Sequence, residues 1–489
     1  MRVSLCMIVK NEEADLPGCL ASAADLVDEI IVVDTGSTDR TKEIAASFGA
    51  KVYDFEWCDS FAAARNESIR HATGDWIFWL DADDRLDEPT REKLRRIFAN
   101  LQDEIAAYMM KCLCNPDPSS GRSAILLGHA RLFRNHPNVR WKYRVHEQIM
   151  PAVERMGGRV HWTDVIIHHS GYQDAVIYRQ KQERNLRLLM LDLKDNPNDA
   201  FVLFYIGWIY LNLQKPVEAL PYLKASLERA SLGDSYVPKL FSLLVNTLLW
   251  LGHRQEALAM CLRGQQIYQD DTELLFQKGT LLHEAGDLAG AEVAFQRLLA
   301  REPIEHYGCV DPGLRAFKTR HNLAVLYMQQ GRIAEAETQW RILASQCPDF
   351  GPAWLELADI WVKQGREGEL VQTVQRLEAD PKHRIPALLL RSRWLRANRR
   401  FDEARQLLQQ AIAREPHNLG LRVALSHVYM EEGRDLPATI QALRDVLAIE
   451  PNYVQAEKNL AALLQQQRGG QPAMPVQVPL QRNSIVVSW

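Results

Sequence analysis

Four short apolar runs open the chain, and each closes in a polar cluster. Residues 3–9 (VSLCMIV) meet Lys10-Asn11-Glu12-Glu13, and residues 29–33 (EIIVV) meet Asp34-Thr35-Gly36-Ser37-Thr38-Asp39. Residues 50–55 form a third run, and residues 76–80 (WIFWL) lead into Asp81-Ala82-Asp83-Asp84. Continuous apolar runs of this length predict strands covered on both faces, as in a parallel sheet. Helical patterns fill the gaps at 16–24, from the 38–39 region to 48, and at 60–72. Thr38 or Asp39 is placed to cap the second of these helices. The order β-α-β-α-β-α-β within the first 80 residues predicts an α/β, doubly wound and mostly parallel sheet. The chain has no Gly-x-Gly-x-x-Gly, so the dinucleotide-binding version of that fold has no support.

Beyond the fourth strand, the pattern predicts a helix at 88–100, strands at 106–114 and 123–133, and a turn-rich loop at 115–122. The segment 141–149 (WKYRVHEQI) follows, and a last apolar run from 165 ends in His168-His169-Ser170-Gly171-Tyr172. The character then changes. Residues 175–195 read as one long amphipathic helix, and helices repeat after it. The residue opening each second helix falls at Ala219, Ala257, Ala291, Ala336, Leu370, Ala404 and Ala438, with spacings of 38, 34, 45, 34, 34 and 34. A 34-residue period is that of the tetratricopeptide repeat, an all-α solenoid of helix pairs. Glycines at 252, 286, 331, 365 and 433 close first helices, and prolines at 303, 348, 381, 416 and 451 follow second ones. The 45-residue spacing marks an insertion near 307–315, and Leu370 breaks the small-residue rule, which predicts looser packing there. Residues 453–466 read as a capping helix. The expected organisation is a catalytic domain over 1–173, a connecting helix over 174–198, repeats with their cap over 199–466, and a mobile tail over 467–489.

Composition narrows the function. The chain of 489 residues carries a formal net charge of -4, which gives no electrostatic footprint for nucleic acid or an anionic membrane. Its eight cysteines form no Cys-x-x-Cys pair, so neither a zinc site nor a disulfide framework is indicated, and a cytoplasmic location is expected. No apolar run is long enough to span a bilayer.

In a parallel sheet the strand ends lie side by side on one edge, where ligands bind. That edge would carry Asn11, Asp34, Ser37, Asp81, Asp83 and Asp84, with Arg65 and Asn66 on the intervening helix. Asp-x-Asp there is a hard-oxygen site suited to Mn²⁺ or Mg²⁺. Asp34 can accept from a base or ribose donor, and Arg65 can pair with a pyrophosphate. Each of these residues also has a plain structural reading, as a helix cap or a surface ion pair.

The ordered motifs resemble a family 2 glycosyltransferase of the GT-A fold. They are Met7-Ile8-Val9-Lys10-Asn11-Glu12, Val32-Val33-Asp34-Thr35-Gly36-Ser37-Thr38-Asp39, Ala64-Arg65-Asn66 and Leu80-Asp81-Ala82-Asp83-Asp84. The likeness covers residues 1 to about 180 and is similar to the bacterial branch fused to tetratricopeptide repeats, which includes peptide S-glycosyltransferases of the glycocin type. The resemblance implies a nucleotide-sugar donor, UDP-linked, contacted by Val9, Asn11, Glu12, Asp34, Ser37, Arg65, Asn66, Asp81 and Ala82. It implies a divalent cation held by Asp83 directly, with Asp81. The family's frequent Asp-Asp-Gly-Ser is Asp-Thr-Gly-Ser here, so Thr35 stands where a carboxylate is common.

An inverting transferase needs a base opposite the leaving diphosphate. Glu147 fits that role, with His146 the runner-up, and the family's base also lies late in the domain. The plain alternative for Glu147 is an ion pair with Arg140 or Arg144. The resemblance also implies a late metal-binding histidine in a His-x-Gly-Tyr frame, which selects His169 over His168. The reading is therefore an inverting, metal-dependent glycosyltransferase, whose repeats form a groove for a peptide or protein acceptor. A homodimer built on the repeats, a cell-envelope glycan as acceptor, and a non-catalytic repeat scaffold remain as alternatives.

Overall fold

The computed structural model describes residues 1–114, 125–169, 175–300, 311–348, 350–379, 383–451 and 453–469. The loop at 115–122, Ser170-Gly171-Tyr172, Pro303 and Pro381, residues 307–310 of the insertion and residues 470–489 of the tail lie outside the described residues. The chain divides into two compact units, the first built on Met1–Lys278 and the second on Gly279–Ala300 with the chain from Arg315 onward.

In the first unit, β1 (Val3–Val9), α1 (Leu16–Ala23), β2 (Glu29–Asp34), α2 (Thr41–Ser47), β3 (Lys51–Asp54), α3 (Phe61–His71) and β4 (Trp76–Trp79) follow one another as the apolar runs predict. Next come β5 (Asp84–Arg85), α4 (Glu88–Ala99), β6 (Ile105–Cys114), β7 (Ile125–Arg134), α5 (Met150–Arg155) and β8 (Arg159–His169). All eight strands join one mixed sheet in the order β3-β2-β1-β4-β7-β6-β8-β5. The half from β3 to β4 is parallel. In the other half β7 runs antiparallel to β4 and β6, while β8 is parallel to β6.

The apolar runs are unbroken because both faces of the sheet are covered. Leu5, Met7, Val32, Trp76 and Phe78 pack with Leu16 and Leu20 of α1 on one face. Cys6, Ile31, Ile77 and Trp79 pack with Ala62, Ile69 and Val153 on the other. β8 begins six residues before the apolar run that announced it, and so takes in His161, which is exposed. The segment 141–149 forms no named strand. It holds one antiparallel bridge, Lys142 to Gln148.

The helix α6 (Ala175–Asp195) leads to α7 (Ala200–Asn212) and α8 (Pro216–Arg229), and then to α9 (Val237–Trp250) and α10 (Arg254–Ile267). Asp199 caps α7 by accepting from the backbone N–H groups of Phe201 and Val202. Gly207 marks the crossing of α7 with α8, because a Cβ there would lie 2.6 Å from Leu223. α6 and α7 do not stand apart from the sheet. Leu188, Leu189, Val202, Ile206 and Ile209 share one buried cluster with Val145, packed against by Trp57 and Phe61.

Five further pairs follow, at the 34-residue period except for the 45-residue spacing between the first two. They are α11 (Thr272–Glu284) with α12 (Leu288–Ala300), α13 (Phe317–Gln329) with α14 (Ile333–Gln346), and α15 (Gly351–Lys363) with α16 (Glu367–Glu378). Then come α17 (Arg384–Ala397) with α18 (Phe401–Arg414), α19 (Leu419–Glu432) with α20 (Leu436–Ile449), and a last helix α21 (Val454–Gly469). The five glycines expected to end first helices all have φ between +66° and +84°, where a side chain would be strained. Leu370, where the other repeats carry a small residue, is fully buried. Trp340, Trp354 and Trp361 belong to the core, whereas Trp250 is 55% exposed. No described helix is long and apolar enough to cross a membrane.

Candidate active site

The parallel half of the sheet delivers two strand ends together, since Val9 is the register partner of Asp34. The loops beyond them are tied to each other. Asn11, with φ +55°, donates its backbone N–H to Ser37 Oγ at 2.8 Å and accepts from the Thr38 N–H at 2.8 Å. The Glu12 N–H donates to Thr41 Oγ1 at 2.7 Å. Thr35, in the position where the family often has a carboxylate, turns its hydroxyl back to the Val9 carbonyl at 3.1 Å and has a structural task.

Asp34 is 1% exposed. Its Oδ1 accepts from the N–H groups of Gly36 and Ser37, while its Oδ2 is buried with no partner among the described residues. A buried carboxylate oxygen left unmatched is costly, and a ligand N–H or O–H would satisfy it. Burial and the nearby Asp83 and Asp15 carboxylates push the Glu12 carboxyl up to about 7.

The third strand end is densely charged. Asp84 is fully buried and makes three contacts. Its Oδ2 accepts from the Asp81 N–H at 2.8 Å and from Arg131 Nη1 at 2.8 Å, and its Oδ1 hydrogen bonds with His169 Nδ1 at 3.0 Å. The short strand β5 makes this possible by placing Asp84 opposite His169 on β8. Asp83 Oδ1 lies 3.3 Å from the same imidazole nitrogen. Asp81, Asp83, Asp84 and His169 thus bring ligand atoms within 4.8 Å of one another. His168, one residue earlier and on the opposite face of the pleat, points to Asp87 at 3.5 Å and is 40% exposed.

Two buried arginines hold this cluster. Arg65 of α3 lies against Trp79 and Trp141, with its guanidinium carbon 4.3 Å and 5.3 Å from the ring centroids. It donates Nη2 to Asp81 Oδ1 at 2.9 Å and Nε to Glu147 Oε1 at 2.6 Å. Arg131 of β7, 2% exposed, lies 3.8 Å from the Trp79 ring centroid and pairs with Asp84. Asn66, expected at the donor, spends its amide on the backbone of Trp141, donating at 3.0 Å and accepting at 2.8 Å. Glu147 pairs with Arg65, and Arg144 turns instead to Asp192 and Asp195. His146 stacks on Tyr205 of α7 at 4.0 Å, and its Nε2 is buried with no hydrogen-bond partner among the described residues. Burial holds the His146 imidazole down to about 4.

The electrostatics follow from this crowding. Burial pushes the Asp81 carboxyl up, but Arg65, Arg131 and His169 outweigh it and hold it well below the usual range. Asp83 is raised by burial and by the neighbouring Asp81 and Asp84, against the pull of His169. Burial lowers His169, yet its hydrogen bond to Asp84 and the charge of Asp83 raise it to about 9. The unfolded imidazole titrates near 6.5. Without added metal, the stability from this pair is therefore full below about pH 6.5 and is lost as pH rises through 9. Chelator-treated protein is expected to lose stability over that window, and His169→Gln to flatten the slope. Parallel slopes for both proteins in thermal melts from pH 6 to 10 would contradict this.

A cavity of about 950 Å³ opens beside the cluster, lined by Arg65, Asp81, Glu147 and His169 on one side and by Tyr205 and Trp208 of α7 on another. Carboxylates gathered at the edge of a mixed α/β sheet, beside a cavity of this size, make this edge the candidate active site.

The pattern of Glycosyl transferase family 2 matches residues 4–127, and tetratricopeptide-repeat patterns match 321–383 and 395–435. A TPR repeat-containing protein of Synechococcus elongatus is 34% identical, over 62% of this chain and 76% of its own. The SPbeta prophage-derived glycosyltransferase SunS of Bacillus subtilis is 29% identical, over 45% of this chain and 52% of its own. A crystal structure of a tetratricopeptide repeat protein from Parabacteroides merdae aligns with 54% of this chain and 98% of its own, at 14% identity and a TM-score of 0.41. The chain belongs to the family 2 glycosyltransferases, in the form fused to C-terminal tetratricopeptide repeats.

Arg131 and Asp84 form the pair that sequence reasoning missed or misplaced. Arg131 lies in an ordinary alternating strand, and Asp84 read as one more acid of the cluster. The only local signal was a charged residue within a strand otherwise committed to the core.

Proposed function

We propose that this protein transfers a sugar, with inversion, from a UDP-linked donor to a peptide or protein acceptor held by the repeats. The observation that carries this reading is the gathering of Asp81, Asp83, Asp84 and His169 next to Glu147, with Arg65 joining Asp81 to Glu147. Carboxylate oxygens with one imidazole suit Mn²⁺ or Mg²⁺. Asp84 is already committed to Arg131, His169 and the Asp81 N–H. The residues that would hold the cation are therefore Asp83, Asp81 and His169. When bound, such an ion neutralises the charge that develops on the leaving diphosphate.

The chain's own residues supply the rest. Asp34 Oδ2 accepts from the nucleoside, and the loops of Val9–Glu12 and Ser37 frame it. Arg65 fixes the Asp81 carboxylate and the Glu147 carboxylate in one geometry. Glu147 takes the acceptor's proton as the acceptor attacks the sugar carbon. Residues 1–173 carry this chemistry, 174–198 connect, and 199–466 present the acceptor. Among the described residues no cysteine is joined in a disulfide, which suits a cytoplasmic enzyme.

Asp83→Asn removes one hard anionic ligand from a site with few. It is expected to abolish Mn²⁺-dependent UDP binding in calorimetric titration while leaving the melting profile intact. UDP affinity equal to wild type in the presence of Mn²⁺ would overturn the metal assignment.

A further inference from the structure

We infer that the first repeat helix is part of the catalytic apparatus: Tyr205 and Phe201 of α7 are positioning residues that hold the 143–147 turn and thereby place the Glu147 carboxylate. This rests on the reading of Glu147 as the base.

The turn is closed by two backbone hydrogen bonds between Lys142 and Gln148, at 3.1 and 3.0 Å. Inside it, Tyr143 has φ +74° and His146 has φ +53°, two of six left-handed non-glycine residues among those described. Such a conformation is strained for a residue with a side chain and persists only where the surroundings enforce it. Here the surroundings are α7. The Tyr143 ring stacks on Phe201, centroids 4.7 Å apart and planes 23° apart. The His146 ring stacks on Tyr205, centroids 4.0 Å apart and planes 13° apart. The Tyr143 hydroxyl donates to Asp199, the residue that caps α7, at 3.3 Å.

The residues between are anchored the same way. The Arg144 N–H donates to Asp192 Oδ2 at 3.0 Å, and the Arg144 guanidinium to Asp195 at 2.8 Å. Val145 is buried among Leu188, Leu189 and Val202. Four consecutive residues thus face α6 and α7, and Glu147 turns the other way, onto Arg65. The sheet fixes Arg65 through Trp79 and Asp81. The turn that carries Glu147 takes one backbone hydrogen bond from α3, the Phe61 N–H donating to the Arg144 carbonyl at 2.8 Å, and its ring stacking and side-chain anchors come from the repeat side.

The test uses the full-length chain and its Mn²⁺-dependent hydrolysis of UDP-hexoses, with water as the acceptor. Tyr205→Leu is expected to lower the hydrolytic kcat about 10- to 100-fold, because a small misplacement of a reacting group costs that much. UDP affinity should stay within about twofold, since the donor contacts lie elsewhere. Tyr205→Phe, which keeps the stacking face, should restore most of the rate. Combining Tyr205→Leu with Glu147→Gln should be no slower than Glu147→Gln alone, because both act through one group. Phe201→Leu provides a second variant should Tyr205→Leu melt early, and hydrogen exchange over residues 142–148 should rise in whichever variant is folded.

A wild-type kcat in folded Tyr205→Leu, additive losses in the double variant, or a Tyr205→Phe as slow as Tyr205→Leu would each overturn the inference. A wild-type rate in Glu147→Gln would instead sink the base assignment, so the two failures are told apart.

Discussion

Glu147→Gln is expected to slow sugar transfer by about 10²–10⁴-fold, the range for losing a general base. UDP binding with Mn²⁺ should remain at the wild-type level. The substitution keeps the shape of the side chain and one oxygen able to accept from Arg65 Nε, now 2.6 Å away. It removes the second basic oxygen and the charge. Asp81 retains its own bond to Arg65, so the metal ligands should stay in place. The loss should therefore appear in kcat, with little change in donor KM. A thiol acceptor, already partly ionised near neutral pH, would draw the effect toward the low end of the range. Transfer at the wild-type rate in a steady-state assay would reassign the base.

Arg131→Met is expected to destabilise the first unit by about 3–5 kcal/mol, as breaking a buried ion pair from one side does. Arg131 is 2% exposed and Asp84 is fully buried. Removing the cation would leave the Asp84 carboxylate beside Asp81 and Asp83, with His169 as its main remaining charge partner. Methionine fills much of the volume and keeps contact with Trp79, so packing loss should be minor. Adding Asp84→Asn to Arg131→Met should recover much of the stability, because the buried charge goes with its partner. Urea unfolding followed by tryptophan fluorescence would report both values. A single variant as stable as wild type would show that the pair is not what holds the strand end.

Much of the sheet was legible because its strands are covered twice. Residues 3–9, 29–33 and 76–80 needed no alternation to be read, and their polar ends named the candidate edge directly. The repeats were legible for another reason. A helix pair cannot bury its own face, so each copy must repeat the small residue and the glycine that let the next one stack. What escaped was pairing over distance. Nothing near Glu147 announces Arg65, which lies 82 positions away, and the adjacent Arg140 and Arg144 were the natural candidates. Asn66 sits in a motif that points to the nucleotide, yet its amide matches the backbone of Trp141, 75 positions on. The two-residue strand β5 is too short to leave any pattern, and it is the strand that sets Asp84 against His169.

Fusion proteins are commonly pictured as beads exchanged along a string, with linkers as the places where evolution cuts. The shared core of Val145, Leu188, Leu189, Val202 and Ile206 denies this chain such a cut between its sheet and its first repeat. A recombinant joined anywhere from 174 to 199 would split one core between two ancestries, with neither half selected to fit the other. The unit that shares this core is the sheet together with α6 and α7. Lineages carrying this fusion should vary the number and sequence of the later repeats freely while inheriting α6 and α7 with the catalytic edge.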